Sequence, residues 1–182
     1  NILTVNGHKP KINHAATFAA TGTPDHPGAE LNLSAIYSED LDSCYRKVYL
    51  KGDELVVEDW IEARDTACRV RWAICSETDA GIEGKAVRLS KGGKTRYLRA
   101  TILRPSMRRL WGRFTPCVWE TSYPEGLSAP DVPAPEEIPL WSWPHSPIHS
   151  WDYPNPGTSL SGFILDLKPR EKVVLRVVLS TK

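Results

Sequence analysis

The stretch CYRKVYLKGDELVVEDWI, residues 44 to 61, constrains the fold more than any other part of the chain. Gly52-Asp53 is a two-residue hairpin signal between two alternating runs, because glycine reaches the positive φ that such tight loops demand. That loop length sets the pairing. Leu50 opposes Leu55, Val48 opposes Val57, Cys44 opposes Ile61, and between them Arg46 opposes Asp59. The other face holds Tyr49 with Val56, Lys47 with Glu58 and Tyr45 with Trp60, a mixed surface with an opposite-charge pair and an aromatic pair. A slip by one residue would send the valines and leucines to the wrong side. The segment is therefore an antiparallel ribbon whose apolar face carries an arginine across from an aspartate. As a strut, the two share charge-assisted hydrogen bonds where either alone would be costly to bury. As a site, they would supply an acid or electrophile. The strut is the favoured reading, and it makes Asp59 a residue of stability rather than of activity.

Elsewhere helical periodicity is nearly absent, while alternating or β-branched runs recur between turn residues. This pattern predicts an all-β fold, an antiparallel β-sandwich of about nine or more strands. Strands are expected near Leu3 to Asn6, Glu30 to Tyr37, Cys44 to Leu50, Glu54 to Ala63, Cys68 to Ser76, Lys85 to Ser90, Thr95 to Leu103, Gly162 to Leu167 and Val173 to Leu179. Lys91-Gly92-Gly93-Lys94 is a second tight hairpin signal. Alternation puts Cys68, Val70, Trp72 and Ile74 on one face, expected to be core, with Arg69, Arg71, Ala73 and Cys75 on the other. Clustered carboxylates Glu58, Asp59 and Glu62 invite a glycosidase reading. On a strand, however, Glu58 and Glu62 face away from Asp59, and their charge is expected to keep a sheet edge soluble.

Residues 124 to 156 differ in kind, with nine prolines together with Trp141, Trp143 and Trp151. So many missing donors and fixed φ angles exclude a central strand or a long helix there. The segment is either a disordered insert or a long loop clamped down by its tryptophans, and the clamped loop is favoured because tryptophan is scarce in disordered segments. Trp141, Trp143 and Trp151 would either offer aromatic platforms to sugar rings or cover the sheet beneath the loop.

A chain of 182 residues is long enough for one well-buried domain. With 23 basic and 22 acidic side chains, its charge implies neither a nucleic-acid nor a membrane-surface partner. No apolar run is long enough to cross a bilayer. Asn1 leads directly into the strand-like Ile2-Leu3-Thr4-Val5 without a signal peptide, which predicts a fragment of a longer chain. Cys44, Cys68, Cys75 and Cys117 show no C-x-x-C spacing, which argues against a zinc ribbon and leaves disulfides and buried free thiols both open.

No G-x-S-x-G, P-loop or dinucleotide fingerprint appears, so common nucleophilic hydrolysis and nucleotide chemistry lack support. His145 and His149 have the spacing of a helical metal pair, but Pro147 between them disfavours the helix and no Glu follows His145. Asp25-His26-Pro27 reads as a turn.

Asn1-Ile-Leu-Thr-Val-Asn-Gly7 resembles the strand motif of the heparinase II/III-like polysaccharide lyases, H-N-x-hydrophobic-x-hydrophobic-(D/N)-G. That family then tends to show A-D-L-T-x-A-Y, an arginine, a strand entering D-E, and W-x-x-H. This chain offers Glu30-Leu-Asn-Leu-Ser-Ala-Ile-Tyr37, Arg46, Val56-Val-Glu-Asp59 and Trp72-Ala-Ile-Cys75 in the same order, followed by the Gly93-Lys94 turn, Ile102-Leu-Arg-Pro105 and Asn155-Pro156. The resemblance implies the C-terminal β-sandwich of an enzyme whose upstream helical toroid supplies most catalytic groups. It further implies an acidic, uronic-acid-containing polysaccharide as partner and a bacterial periplasmic or secreted location. Asn32 stands where the family has aspartate and Cys75 where it has histidine. These two, with Trp141, Trp143 and Trp151, are the candidate substrate-contacting residues; no catalytic residue is assigned. A thiolate can ligate zinc, but neutral Asn replaces a carboxylate poorly, so neither a metal nor another cofactor is expected. An independent carbohydrate-binding module and a purely structural sandwich are the alternatives.

Overall fold

The computed structural model describes residues 2–8, 14–103, 115–122, 126–127 and 159–181. They form thirteen strands: β1 (Ile2–Val5), β2 (Thr17–Thr23), β3 (His26–Asn32), β4 (Leu41–Lys51), β5 (Glu54–Ala63), β6 (Cys68–Ser76), β7 (Asp79–Glu83), β8 (Ala86–Lys91), β9 (Lys94–Leu103), β10 (Thr115–Ser122), β11 (Gly126–Leu127), β12 (Ser159–Leu167) and β13 (Lys172–Ser180). Two sheets result, a smaller one in the order β1-β6-β12-β10-β11 and a larger one in the order β2-β3-β4-β5-β13-β9-β8-β7. Leu3, Val5, Val70, Trp72, Phe163 and Leu165 of the smaller sheet meet Val57, Ile61, Val87, Leu98, Leu175 and Val177 of the larger in one continuous core. The fold is thus an antiparallel β-sandwich.

The β4–β5 ribbon pairs as its loop requires, from Lys51 with Glu54 back to Cys44 with Ile61, before a register shift between Leu41 and Ser43. Gly52 takes φ 58° at the turn, and the Gly92 and Gly93 turn likewise uses φ 57° and 75° to pair Lys91 with Lys94. At the first turn Asn6 and Gly7 adopt φ 52° and 78°. Val5 and His8 exchange both main-chain hydrogen bonds around them, at 3.2 and 2.8 Å. The Asn6 side chain then accepts from the Arg69 N–H at 3.0 Å and donates to Asp40 at 2.9 Å, tying the turn to β6 and to the β3–β4 connection.

Three expectations are corrected. The strand read through Tyr37 stops at Asn32, whose side chain accepts the Ser34 N–H at 3.0 Å and turns the backbone out of the sheet. Successive turns follow, and Leu33, Tyr37 and Leu41 are buried at a four-residue spacing that belongs to a coiled rather than a pleated backbone. Secondly, β5 is no edge: β13 pairs along it, and Glu58 is buried on the outward face of the sheet. Arg176 of β13 neutralises that carboxylate at 2.6 Å and Tyr49 Oη donates to it at 3.2 Å. Thirdly, Arg71 and Ala73 are buried although they lie opposite the core face of β6; Arg71 donates to Thr4 Oγ1 at 2.9 Å. Strands β2, β7, β10 and β11 have no counterpart among the expected strands; Thr17-Phe-Ala-Ala-Thr-Gly-Thr23 of β2 offers small residues and only one large apolar side chain.

Gly162 sets how closely β12 approaches β6. A Cβ there would stand 1.9 Å from the Trp72 carbonyl oxygen and 2.9 Å from Ala73 Cα, both parts of the backbone that cannot swing aside. Gly162→Ala should therefore cost about 1–3 kcal/mol, read as a lower urea midpoint. Gly81→Ala is the control, since the nearest atom is the mobile Nη2 of Arg88 at 3.3 Å. It should shift stability by under about 0.5 kcal/mol.

Candidate functional site

Between the sheets the Arg46–Asp59 pair closes in a two-point geometry, Nε to Oδ1 at 2.6 Å and Nη2 to Oδ2 at 3.0 Å. Asp59 is 0% exposed and Arg46 8%. Burial pushes the Asp59 carboxyl above the usual carboxylate range, and the Arg46 charge and hydrogen bonds offset this only in part. Burial also opposes the guanidinium charge, but Asp59 outweighs it and holds the Arg46 pKa above its ordinary value. The Trp72 indole N–H faces the same carboxylate and favours its ionised form, short of full hydrogen-bond geometry. Tyr37 completes the junction, its hydroxyl donating to the Leu3 carbonyl at 3.1 Å and accepting from the Leu3 N–H at 3.2 Å. Cys44 lies beside them as a buried free thiol. With every group enclosed, the junction can hold the sheets in register but cannot meet a substrate.

The outward face of the larger sheet is different. Cross-strand pairing aligns Thr17, Asn32, Tyr45 and Trp60 in one row and Ala19, Glu30 and Lys47 in the next. These side chains line a cavity of about 700 Å³, with Phe18, Leu31 and Arg46 contributing from the intervening positions. By alternation those three direct their side chains to the opposite face and present main chain here. Tyr45 is 48% and Trp60 38% exposed, directly opposite one another. Lys47 binds Glu30 at 2.8 Å, and that hydrogen bond holds its ammonium pKa above the ordinary value. The Asn32 oxygen is engaged by the Ser34 N–H, which leaves the amide N–H groups to donate. Aromatic faces beside paired polar groups suit a ligand that is itself apolar on one side and hydroxylated at its rim.

The candidates named from sequence are separated. Asn32 lies at this cavity, whereas Cys75 is an exposed free thiol on β6 of the smaller sheet. Trp141, Trp143, Trp151, His145 and His149 lie outside the described residues; of the segment 124–156 only Gly126–Leu127 is described, paired with Thr121 and Ser122 of β10. Among the described residues no three His, Cys, Asp or Glu side chains converge as metal ligands. The Tyr45–Trp60 pair was visible as an outward aromatic pair of the ribbon, but its being left uncovered depends on the rest of the fold. One further pair joins the exposed His8, through Nδ1 at 3.0 Å, to the half-buried Asp40. No protein-family model matches the chain, and no curated protein matches it significantly.

Proposed function

We propose that this chain is the C-terminal β-sandwich domain of a heparinase II/III-like polysaccharide lyase, bracing the catalytic toroid and lining the groove that holds a uronic-acid-containing polysaccharide, in the bacterial periplasm or outside the cell. The observation that carries this reading is convergence. Residues of several motif pieces meet around one point, Leu3 bonded to Tyr37, Tyr37 beside Arg46 and Asp59, and Trp72 facing Asp59, while Asn32 and Cys75 of the same pieces lie on the two outer faces. A shared framework would bring such pieces together.

In β-elimination a base takes the proton α to the uronate carboxylate, fixed groups hold that carboxylate, and an acid protonates the leaving oxygen. The enclosed junction has no free access for these roles, so by resemblance they fall to the toroid. The full polypeptide bearing this segment should cleave a uronate polymer with the rise in ultraviolet absorbance that a new conjugated double bond brings, while the 182-residue chain alone should not. Cleavage by hydrolysis, without that absorbance, would refute the assignment. A second reading, a carbohydrate-binding module, is favoured by the exposed Tyr45–Trp60 pair.

A further inference from the structure

We infer that the cavity over Tyr45 and Trp60 is a binding site for a neutral pyranose segment of a polysaccharide, in which the two rings stack on the C–H faces of the sugar and Asn32 donates to its hydroxyls. This rests on the carbohydrate-contacting part of the reading above and names the chemical class that the site takes.

Size supports an oligosaccharide: about 700 Å³ lies inside the range of roughly 300–1,000 Å³ typical of small-molecule clefts. The aromatic pair supplies the apolar floor, standing on adjacent strands with both rings exposed. Charge decides between neutral and acidic sugars. The two ionisable side chains lining the outward wall, Glu30 and Lys47, already bind one another at 2.8 Å. The next pair along the same row, Glu58 and Arg176, is likewise closed at 2.6 Å. With that pair closed, the wall carries no surplus positive charge for a uronate carboxylate, which would also stand beside the Glu30 carboxylate. A hydroxyl can instead share either group without breaking the pair. A polymer that alternates neutral and uronate units would place its neutral unit here.

Titration of the 182-residue chain with cellohexaose, mannohexaose and chitohexaose, against hexagalacturonate, tests this by calorimetry at low and high salt. At least one neutral hexasaccharide should bind about tenfold or more tightly than hexagalacturonate, with little salt dependence. Trp60→Ala and Tyr45→Ala should each weaken that binding by about tenfold, while Trp60→Phe retains most of it, all with unchanged circular dichroism. Tighter, salt-sensitive binding of hexagalacturonate would overturn the proposal. So would no binding of any neutral probe, or binding unaffected in both folded alanine variants. Elimination activity in the full polypeptide is read separately, so a failed platform leaves the lyase assignment standing, and a failed lyase assignment leaves the platform standing.

Discussion

Asp59→Ala should lower the stability of the domain by about 3–5 kcal/mol, the cost of leaving a buried guanidinium without its carboxylate. For a chain of this length that corresponds to a melting point depressed by roughly 10 °C. The argument is one of asymmetry. The pair as built has already lost its hydration, and two short hydrogen bonds at 2.6 and 3.0 Å compensate for it. Removing one partner keeps the desolvation of Arg46 and discards the compensation. Arg46→Met with Asp59→Leu removes both charges and fills the space, so the double variant should recover to within about 1–2 kcal/mol of wild type. Thermal unfolding of the three proteins decides it. Should Asp59→Ala melt with wild type, the pair would carry no structural load, and the junction would have to be understood as a site.

The ribbon around this pair was legible because everything that specifies it is local. A two-residue turn and a strict alternation determine register without reference to the rest of the chain, and the pairing of Arg46 with Asp59 follows. The misread elements failed where a distant or competing interaction decides. Asn32 ends β3 through its own side chain, a choice that strand propensity does not register. Glu58 looked like edge charge because its partner Arg176 comes from a strand more than a hundred residues later. Arg71 lies on the face opposite the expected core set, yet it is buried and its Nη2 bonds Thr4, 67 residues earlier in the chain. The candidate site was half visible for the same reason. That Tyr45 and Trp60 share an outward face follows from alternation, whereas their exposure depends on what β2 and β3 add beside them.

The same junction predicts a steep loss of stability in alkali. Burial, with the nearby Asp59 charge, pushes the Cys44 thiol from 9.0 up to about 12, against the smaller opposing effect of Arg46. Burial pushes Cys68 up to about 11, helped by the charges of Asp40, Asp166 and Glu171. Tyr37 is raised as well, by burial first and then by Cys44. For each group the folded state keeps a proton that the unfolded chain gives up. Its contribution is therefore complete below the unfolded pKa and is lost as pH rises toward the folded one. For Cys44 the loss runs from pH 9 toward 12, at up to about 1.4 kcal/mol per pH unit, on the order of 3 kcal/mol by about pH 11. Urea unfolding across this range should show midpoints that fall with each step. Cys44→Ala should start lower near neutral pH, because it opens a small cavity, and then fall less steeply, because one of the withheld protons is gone. The slope difference between the two proteins reports the thiol together with its coupling to Tyr37. Parallel decline of wild type and Cys44→Ala would place that sulfur in contact with water, which the closure of Tyr37, Arg46 and Asp59 around it does not allow.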